Sequence, residues 1–372
     1  MTYLRLLILG LVLYSCAADA QCVAPYSNLS NNFYAYENGE GHFLEPIQPT
    51  SFKVGKNFLA FINGQNSRLR VYYGDKVYTV CENAADYWAT DNWFVWKNFG
   101  LLGVLYNNEL KTLDKQVNGE YWIGDSLIAW NGQFNDLRVF YQGETRAIDQ
   151  FLPQQKTAPD GTTTYSNVSI GPNILAYVDQ SVIFKAFYNN KVYNVENYEP
   201  PMFKCARDFI VYIDYNNNYK FFYKGVSYET TINNIKRYWL GEGFFAYYNI
   251  QSELAVWYDG EENIIAQDLP QDITVANNII AYTDKSNNFW VWYKGKVELL
   301  ERFKPQSVKV YRDLLVYQDQ YGRLKGYYFG KQVDVSDQIV TSYNMYNATV
   351  SYSLQRGETI FWCEGKSTPI EY

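Results

Sequence analysis

A repeat of about 35 residues runs through the chain and restricts its fold more than any other sequence feature. Segments that resemble Trp292-Tyr293-Lys294-Gly295-Lys296 recur with a glycine or asparagine as the marker residue. The markers are Gly74, Asn108, Gly143, Asn190, Gly225, Gly260, Gly295, Gly330 and Gly365. Their spacings are 34, 35, 47, 35, 35, 35, 35 and 35 residues. A fixed period of this length is typical of solenoids, propellers and other repeat architectures.

Three further positions, here called columns of the aligned repeat, recur at fixed distances before the markers. An aromatic residue stands two positions before most markers: Tyr72, Tyr106, Tyr141, Tyr188, Tyr223, Tyr258, Tyr293 and Tyr328. Fourteen positions before most markers stands a small residue: Ala60, Ala129, Ala176, Val211, Ala246, Ala281, Val316 and Ser351. The next position is again aromatic: Phe61, Trp130, Tyr177, Tyr212, Tyr247, Tyr282, Tyr317 and Tyr352. We interpret these columns as core, with the small residue allowing close approach and the aromatic filling the gap between sheets.

Each unit is predicted to contain four short strands. Residues 272 to 301 serve as the example, with strands at Asp272 to Ala276, Ile279 to Thr283, Phe289 to Tyr293 and Lys296 to Leu300. Asn277-Asn278 and Lys294-Gly295 separate strands within this unit, and Asn and Gly tolerate the positive φ of two-residue turns. The 37 Tyr, 22 Phe and 10 Trp also favour strands. The chain is therefore predicted to be all-β.

A single four-stranded meander cannot bury both of its faces, whereas stacked copies can. We predict a β-propeller of about eight to ten units over residues 21–372, with an open superhelix of β-meanders as the alternative. Residues 33–47 match only the third and fourth strands of a unit. Twelve extra residues, at about 152–164, are predicted to form a loop insertion and a candidate contact site.

The units resemble the TolB-like and WD40-like propeller repeats of exported bacterial proteins. The resemblance is carried by the strand Ile279-Ile280-Ala281-Tyr282-Thr283-Asp284, followed by an aromatic strand that ends at Tyr293-Lys294-Gly295. It covers nearly the whole chain after the leader, although the Ser-Pro-Asp-Gly turn and a recurring Trp-Asp signature are absent. This resemblance implies a protein that binds a partner.

Residues 1–20 are predicted to be a signal peptide. Arg5 supplies the positive charge, Leu6 to Tyr14 form the apolar segment, and Ala18-Asp19-Ala20 fits a cleavage site. The processed chain would begin at Gln21 and be secreted, periplasmic or at the cell surface. The alternative is lipid attachment at Cys16. No later segment is apolar enough to span a bilayer as a helix.

Four cysteines remain after such processing: Cys22, Cys81, Cys205 and Cys363. They permit two disulfides in three pairings, which the sequence does not distinguish. A bridge between Cys22 and Cys363 would join the two ends of a ring. The alternative is that they are buried free thiols.

The sequence identifies no catalytic, cofactor-binding or metal-binding residue. His42 is the only histidine, which excludes a site with several histidines. Asp179, Asp214, Asp284 and Asp319 recur after the second strand of their units. We interpret them as residues that accept local backbone hydrogen bonds, and a calcium-binding rim is the alternative.

The function predicted from these features is binding or scaffolding without catalysis, by a monomer with a protein or glycan partner. The alternative is a carbohydrate-active enzyme, a glycoside hydrolase or lyase with carboxylates in a central channel. Four acidic residues lie in the less regular units and are worth examining for that role, but the sequence assigns it to none of them: Asp86, Asp91, Glu120 and Asp125. The net charge of −7, without basic blocks, argues against nucleic acid.

Overall fold

The computed structural model describes residues 22–83, 86–117, 119–151, 153, 156–157, 163–164 and 167–370. All 40 regular elements in these ranges are β-strands. None of the described residues forms a helix with the length and hydropathy needed to cross a membrane. The predicted signal peptide, with Cys16, lies outside the described residues.

The strands form ten consecutive antiparallel units in this part of the chain. Unit 1 contains β1 (Val23–Ser27), β2 (Phe33–Glu37) and β3 (Glu40–Glu45). Unit 2 contains β4 (Ser51–Val54), β5 (Phe58–Ile62), β6 (Leu69–Tyr73) and β7 (Lys76–Cys81). Unit 3 contains β8 (Asp86–Ala89), β9 (Phe94–Asn98), β10 (Leu101–Tyr106) and β11 (Glu109–Asp114). Unit 4 contains β12 (Tyr121–Ile123), β13 (Leu127–Asn131), β14 (Leu137–Tyr141) and β15 (Glu144–Asp149).

The insertion contributes the short pair β16 (Lys156–Thr157) and β17 (Thr163–Thr164), and most of its other residues lie outside the described part. Unit 5 contains β18 (Val168–Ile170), β19 (Ile174–Val178), β20 (Phe184–Tyr188) and β21 (Lys191–Glu196). Unit 6 contains β22 (Phe203–Ala206), β23 (Phe209–Ile213), β24 (Tyr219–Tyr223) and β25 (Val226–Tyr228). Unit 7 contains β26 (Arg237–Leu240), β27 (Phe244–Tyr248), β28 (Leu254–Tyr258) and β29 (Glu261–Ala266).

Unit 8 contains β30 (Asp272–Ala276), β31 (Ile279–Thr283), β32 (Phe289–Tyr293) and β33 (Lys296–Glu301), which agrees with the predicted strands to within one residue. Units 9 and 10 share one seven-stranded sheet. It contains β34 (Ser307–Tyr311), β35 (Leu314–Gln318), β36 (Arg323–Tyr328), β37 (Lys331–Tyr346), β38 (Thr349–Leu354), β39 (Thr359–Cys363) and β40 (Lys366–Pro369). The long β37 is the fourth strand of unit 9 and continues as the first strand of unit 10.

Unit 1 corrects one detail of the sequence prediction. Within the described residues it has no first strand, but β1 occupies the place of the second strand and pairs with β2 from Val23 opposite Glu37 to Ser27 opposite Phe33. The strand lacks the small-then-aromatic pair of the repeat and contains Pro25, which discouraged its recognition. Proline is tolerated here because β1 is an edge strand of its sheet.

The described residues form ten apolar core clusters, each shared between two neighbouring units. In one of them, Ala129 and Val139 of unit 4 pack against Leu175, Tyr177 and Phe187 of unit 5. Most small residues and aromatics of the predicted core columns are buried in these clusters, whereas Tyr106, Tyr141, Tyr258, Tyr328 and Ser351 are half-buried. The burial of facing apolar surfaces therefore stabilises every contact between units.

The tenth cluster joins the two ends of the chain. Ala24 and Tyr36 of unit 1 pack with Phe361 of unit 10, and the rings of Tyr36 and Phe361 stack at 4.3 Å. Cys22 and Cys363 form a disulfide beside them. No sheet among the described strands closes on itself. Packing between units 10 and 1 completes the ring, in contrast to the open superhelix that was the alternative.

Exposure shows how each unit is oriented. The first strands are mostly half-exposed along their length, whereas the second and third strands are buried. The fourth strands are more exposed still, and side chains that follow the first strands of units 4 and 9 meet each other, so the first strands line the central channel and the fourth strands lie outside. The turns after the first and third strands emerge on one side, here called the turn face. The loops after the second strands and the links between units emerge on the other, here called the loop face.

Candidate functional site

Charged side chains from turns after the first strands meet in the channel at its turn-face end. We call this group the channel cluster: Asp91, Asp125, Arg207, Glu242, Tyr311 and Arg312. It draws residues from units 3, 4, 6, 7 and 9. The turns are tight, as shown by the positive φ of 49° at Arg312.

Two arginines hold the cluster together. Arg207 donates from Nη2 to Asp125 Oδ2 at 3.0 Å and from Nε to Glu242 Oε2 at 2.7 Å. Arg312 forms ion pairs with both Asp91 and Asp125. The Tyr311 hydroxyl donates to Asp91 Oδ1. Each of the three carboxylates is thus paired with a guanidinium.

The cluster is poorly solvated. The side chains of Asp91, Asp125 and Glu242 are each about a tenth exposed or less. Burial raises the pKa of Asp91, opposed by the Tyr311 hydroxyl and by Arg312, while the charge of Asp125 also raises it. Buried charges of this kind are stable only when paired, so the cluster acts as a connection across the channel.

This arrangement does not leave a carboxylate pair free for glycoside hydrolysis. That chemistry uses one protonated carboxyl and one carboxylate that flank a sugar. Here the arginines occupy the space between the acidic groups. A cavity of about 300 Å³ adjoins the cluster, lined by Asp91, Tyr311, Arg312 and Asn347 among others.

Two of the four acidic candidates from the sequence, Asp91 and Asp125, lie in this cluster. Asp86 and Glu120 are exposed on or beside first strands and take no part in it. Sequence reasoning missed Arg207, Glu242 and Arg312. Their signal was available, because they occupy the same turn position of the repeat as Asp125, eighteen residues before a marker.

The recurring aspartates after the second strands cap turns, as the favoured interpretation predicted. Oδ1 of each accepts backbone hydrogen bonds two and four residues onward, at 2.8 and 2.9 Å. The residues are Asp179, Asp214, Asp284 and Asp319. For Asp284 and Asp319, these bonds and side-chain donors outweigh burial and hold the pKa below its usual range.

One of the predicted disulfide possibilities is present. Cys22 and Cys363 are bonded, with Cα atoms 6.1 Å apart, whereas Cys81 and Cys205 are free thiols. Burial raises the pKa of Cys205 to about 12. Its thiol is therefore protonated and unreactive at neutral pH.

The loop face carries exposed apolar residues at one recurring place. In seven of the ten units of the described chain, the loop after the second strand has a large exposed apolar side chain. These residues are Leu29, Phe99, Phe134, Val182, Tyr215, Ile250 and Tyr321. Phe99 is 93% exposed and Leu29 is 90% exposed. Phe151 and Leu269, in links between units, add to the same face.

The channel wall has an aromatic recess beside units 3, 4 and 5. The rings of Trp88 and Tyr121 meet edge to face at 4.9 Å. Lys97 Nζ lies 5.0 Å from the centre of the Tyr121 ring. The recess has a volume of about 520 Å³, and Glu120 and Ile170 also line it.

Ten four-stranded or three-stranded units around a channel define a β-propeller. The chain belongs to the family described as the 10-bladed beta propeller domain, whose model matches residues 17–368. The narrower likeness to TolB-like repeats stays a prediction. No curated protein matches the chain.

Solved propeller structures are only distantly similar. Apo AztD from Citrobacter koseri is 9% identical, with 85% of this chain and 94% of that chain covered and a TM-score of 0.35. The CRINKLY WD40 ectodomain of the Arabidopsis thaliana receptor kinase ACR4 is 11% identical, with 66% and 93% covered and a TM-score of 0.31. Prp20p from Saccharomyces cerevisiae is 8% identical, with 68% and 87% covered and a TM-score of 0.31. No function follows from similarities of this size.

Proposed function

We propose that this protein is an exported, non-catalytic binding propeller that holds a protein partner on its loop face. The observation that carries the proposal is the ring of exposed apolar side chains at the tips of the second-strand loops. A propeller domain fits a binding or scaffolding role.

The position of these side chains supports a binding role more than their number does. Isolated exposed apolar residues are normal on protein surfaces. Here they recur at one structural position, the tip of the loop after the second strand. These tips lie outside the core, so the fold does not require apolar residues there. Aromatic residues are enriched in protein interfaces. A broad face on which apolar side chains alternate with polar groups is suited to binding a protein.

The channel cluster supports the non-catalytic part of the proposal. Each of its three carboxylates is paired with Arg207 or Arg312, which favours a structural role over that of a general base or nucleophile. The expectation of export rests on residues 1–20, and the Cys22–Cys363 disulfide fits an oxidising compartment.

A second candidate, glycan binding, is favoured by the recess at Trp88 and Tyr121. Half-exposed aromatic rings next to the carboxylate of Glu120 provide both a stacking surface and a hydrogen-bond acceptor. A recess of about 520 Å³ is within the usual size range of ligand pockets.

The test compares two triple variants of the immobilised chain. The first removes loop-face tips (Phe99→Ser, Phe134→Ser and Tyr215→Ser). The matched control removes exposed apolar side chains elsewhere (Leu110→Ser, Val226→Ser and Phe329→Ser). A protein from the native extracellular or envelope fraction should bind saturably to the wild type and the control and lose most of its affinity for the loop-face variant. Equal binding to all three would contradict the proposal.

A glycan array probed with the wild type and with Trp88→Ala distinguishes glycan binding at the recess from protein binding on the loop face. If a glycan binds at the recess, the wild type and the loop-face variant would bind one sugar class saturably, and Trp88→Ala would not. That result would favour a glycan over a protein as the partner. Hydrolysis of a polysaccharide panel that disappears in Asp125→Asn would contradict the absence of catalysis.

A further inference from the structure

Three potential metal ligands meet between units 1 and 2, away from the channel. Glu37 is the last residue of β2, His42 lies in β3, and Asp75 lies in the turn between β6 and β7. One ligand atom from each residue lies within 4.8 Å of the other two. The group combines the chain's only histidine with two carboxylates from different units.

The distances are close to those of a bound ion. His42 Nε2 and Asp75 Oδ1 are 3.7 Å apart. Two ligands at about 2.1 Å from a tetrahedral zinc ion lie about 3.4 Å from each other. The other two separations are at most 4.8 Å, so rotations that shorten them by no more than about 1.4 Å would bring the three atoms onto one ion.

Glu37 has the environment of a carboxylate that lacks its cation. Its residue is 5% exposed, yet among the described residues it forms no ion pair with a lysine or arginine. Its Oε2 accepts from the Tyr72 hydroxyl, which also lies 3.3 Å from Asp75 Oδ1. Two neighbouring carboxylates, one of them buried, are stabilised by a cation placed between them.

We propose that Glu37, His42 and Asp75 bind a zinc ion. One imidazole nitrogen and two carboxylate oxygens are ligands that Zn²⁺ accepts. Tyr72 donates to Glu37 and orients it, as hydrogen-bonding partners of metal ligands commonly do. The Asp75 side chain is 74% exposed, so the ion has a path from solvent and room for a water ligand.

The ion would reinforce the closure of the ring. Asn38, next to Glu37, accepts through Oδ1 from the Cys22 backbone N–H at 3.0 Å, and its own N–H donates to the Cys22 carbonyl at 3.3 Å. The turn that carries Glu37 is thus attached to the Cys22–Cys363 disulfide. Zinc would extend this attachment to unit 2 through Asp75.

The test is calorimetric titration of ZnCl₂ into the full chain, purified without a histidine tag and treated with a chelator. The variants are His42→Ala, Asp75→Asn and Glu37→Gln, with Asp259→Asn as the control. Asp259 occupies the equivalent two-residue turn of unit 7 and is also exposed. Circular dichroism checks that each variant is folded.

We expect one Zn²⁺ per wild-type chain, with affinity reduced at least about tenfold in His42→Ala and Asp75→Asn and unchanged in Asp259→Asn. Zinc should raise the thermal midpoint of the wild type and the control but not of His42→Ala. No saturable binding, or equal affinity in the wild type and His42→Ala, overturns the proposal. Binding that survives in His42→Ala but is lost when Cys81 and Cys205 become serine also overturns it.

Discussion

Arg312 in unit 9 and Asp125 in unit 4 are 187 residues apart, yet Nη2 of Arg312 donates to Oδ2 of Asp125. In a ring of ten units, these two units lie on opposite sides. The same carboxylate oxygen also accepts from Arg207 of unit 6. Ion pairs therefore cross the channel at its turn-face end. Through Asp125, they connect units 4, 6 and 9.

Replacing Arg312 should destabilise the protein strongly. Arg312→Ala leaves Asp91 without its guanidinium partner and Asp125 with only Arg207, and breaking a buried pair of this kind costs about 3 kcal/mol. The control is Lys285→Ala, which removes an exposed pair with Asp268 and should cost less than about 1 kcal/mol. Urea unfolding followed by tryptophan fluorescence measures both. Similar midpoints for the two variants would show that the cluster contributes little to stability.

Loss of the Cys22–Cys363 bond should also lower stability. The bond closes a loop with a sequence separation of 341 residues, and the chain-entropy argument gives a stabilisation on the order of 5 kcal/mol. Cys22→Ser with Cys363→Ser should unfold at lower urea than the wild type. Thiol titration of residues 21–372, denatured but not reduced, should find two thiols, those of Cys81 and Cys205. Four reactive thiols would contradict the pairing.

Enlarging a small core residue should separate two units. Ala176 is fully buried and packs in the cluster with Ile210 and Tyr212 of unit 6. Ala176→Leu should cost about 1–3 kcal/mol because the added atoms have no space. Ala147→Leu, on the exposed side of β15, is the control and should have little effect. Thermal midpoints distinguish the two, and equal midpoints would mean that the units tolerate wider spacing.

The stabilisation by Asp319 should depend on pH. Although burial acts to raise its pKa, the backbone N–H groups of Arg323 and Tyr321 and the Arg323 guanidinium hold it below the usual range. Its contribution is therefore complete above the unfolded-state pKa of about 3.9 and is lost as the pH falls through the lower folded-state pKa. Asp319→Asn should cost about 1–2 kcal/mol at pH 7 and much less near pH 2.

Urea midpoints at the two pH values provide the measurement for Asp319→Asn. The control is Asp337→Asn, which makes the same change of charge at an exposed position. Its midpoint should stay close to that of the wild type at both pH values. An equal cost of Asp319→Asn at pH 7 and near pH 2 would contradict the role of the ionised carboxylate.

The sequence by itself determined the repeating unit and its core. The strands of residues 272–301, the buried columns at Ala176 and Tyr177, and the turn-capping role of Asp319 all follow from local pattern. They are local because strand alternation, turn chemistry and the repeat period involve residues close together in the chain.

Only the tertiary structure decided which distant residues meet. The pairs Cys22–Cys363 and Arg312–Asp125, and the approach of Asp75 to Glu37, depend on how the units are arranged around the ring. That arrangement is the sum of small rotations between packed units, which no single unit encodes. The charges in the turns were visible in the sequence, but their partners were not, because a Coulomb interaction depends on distance in space and not on distance along the chain.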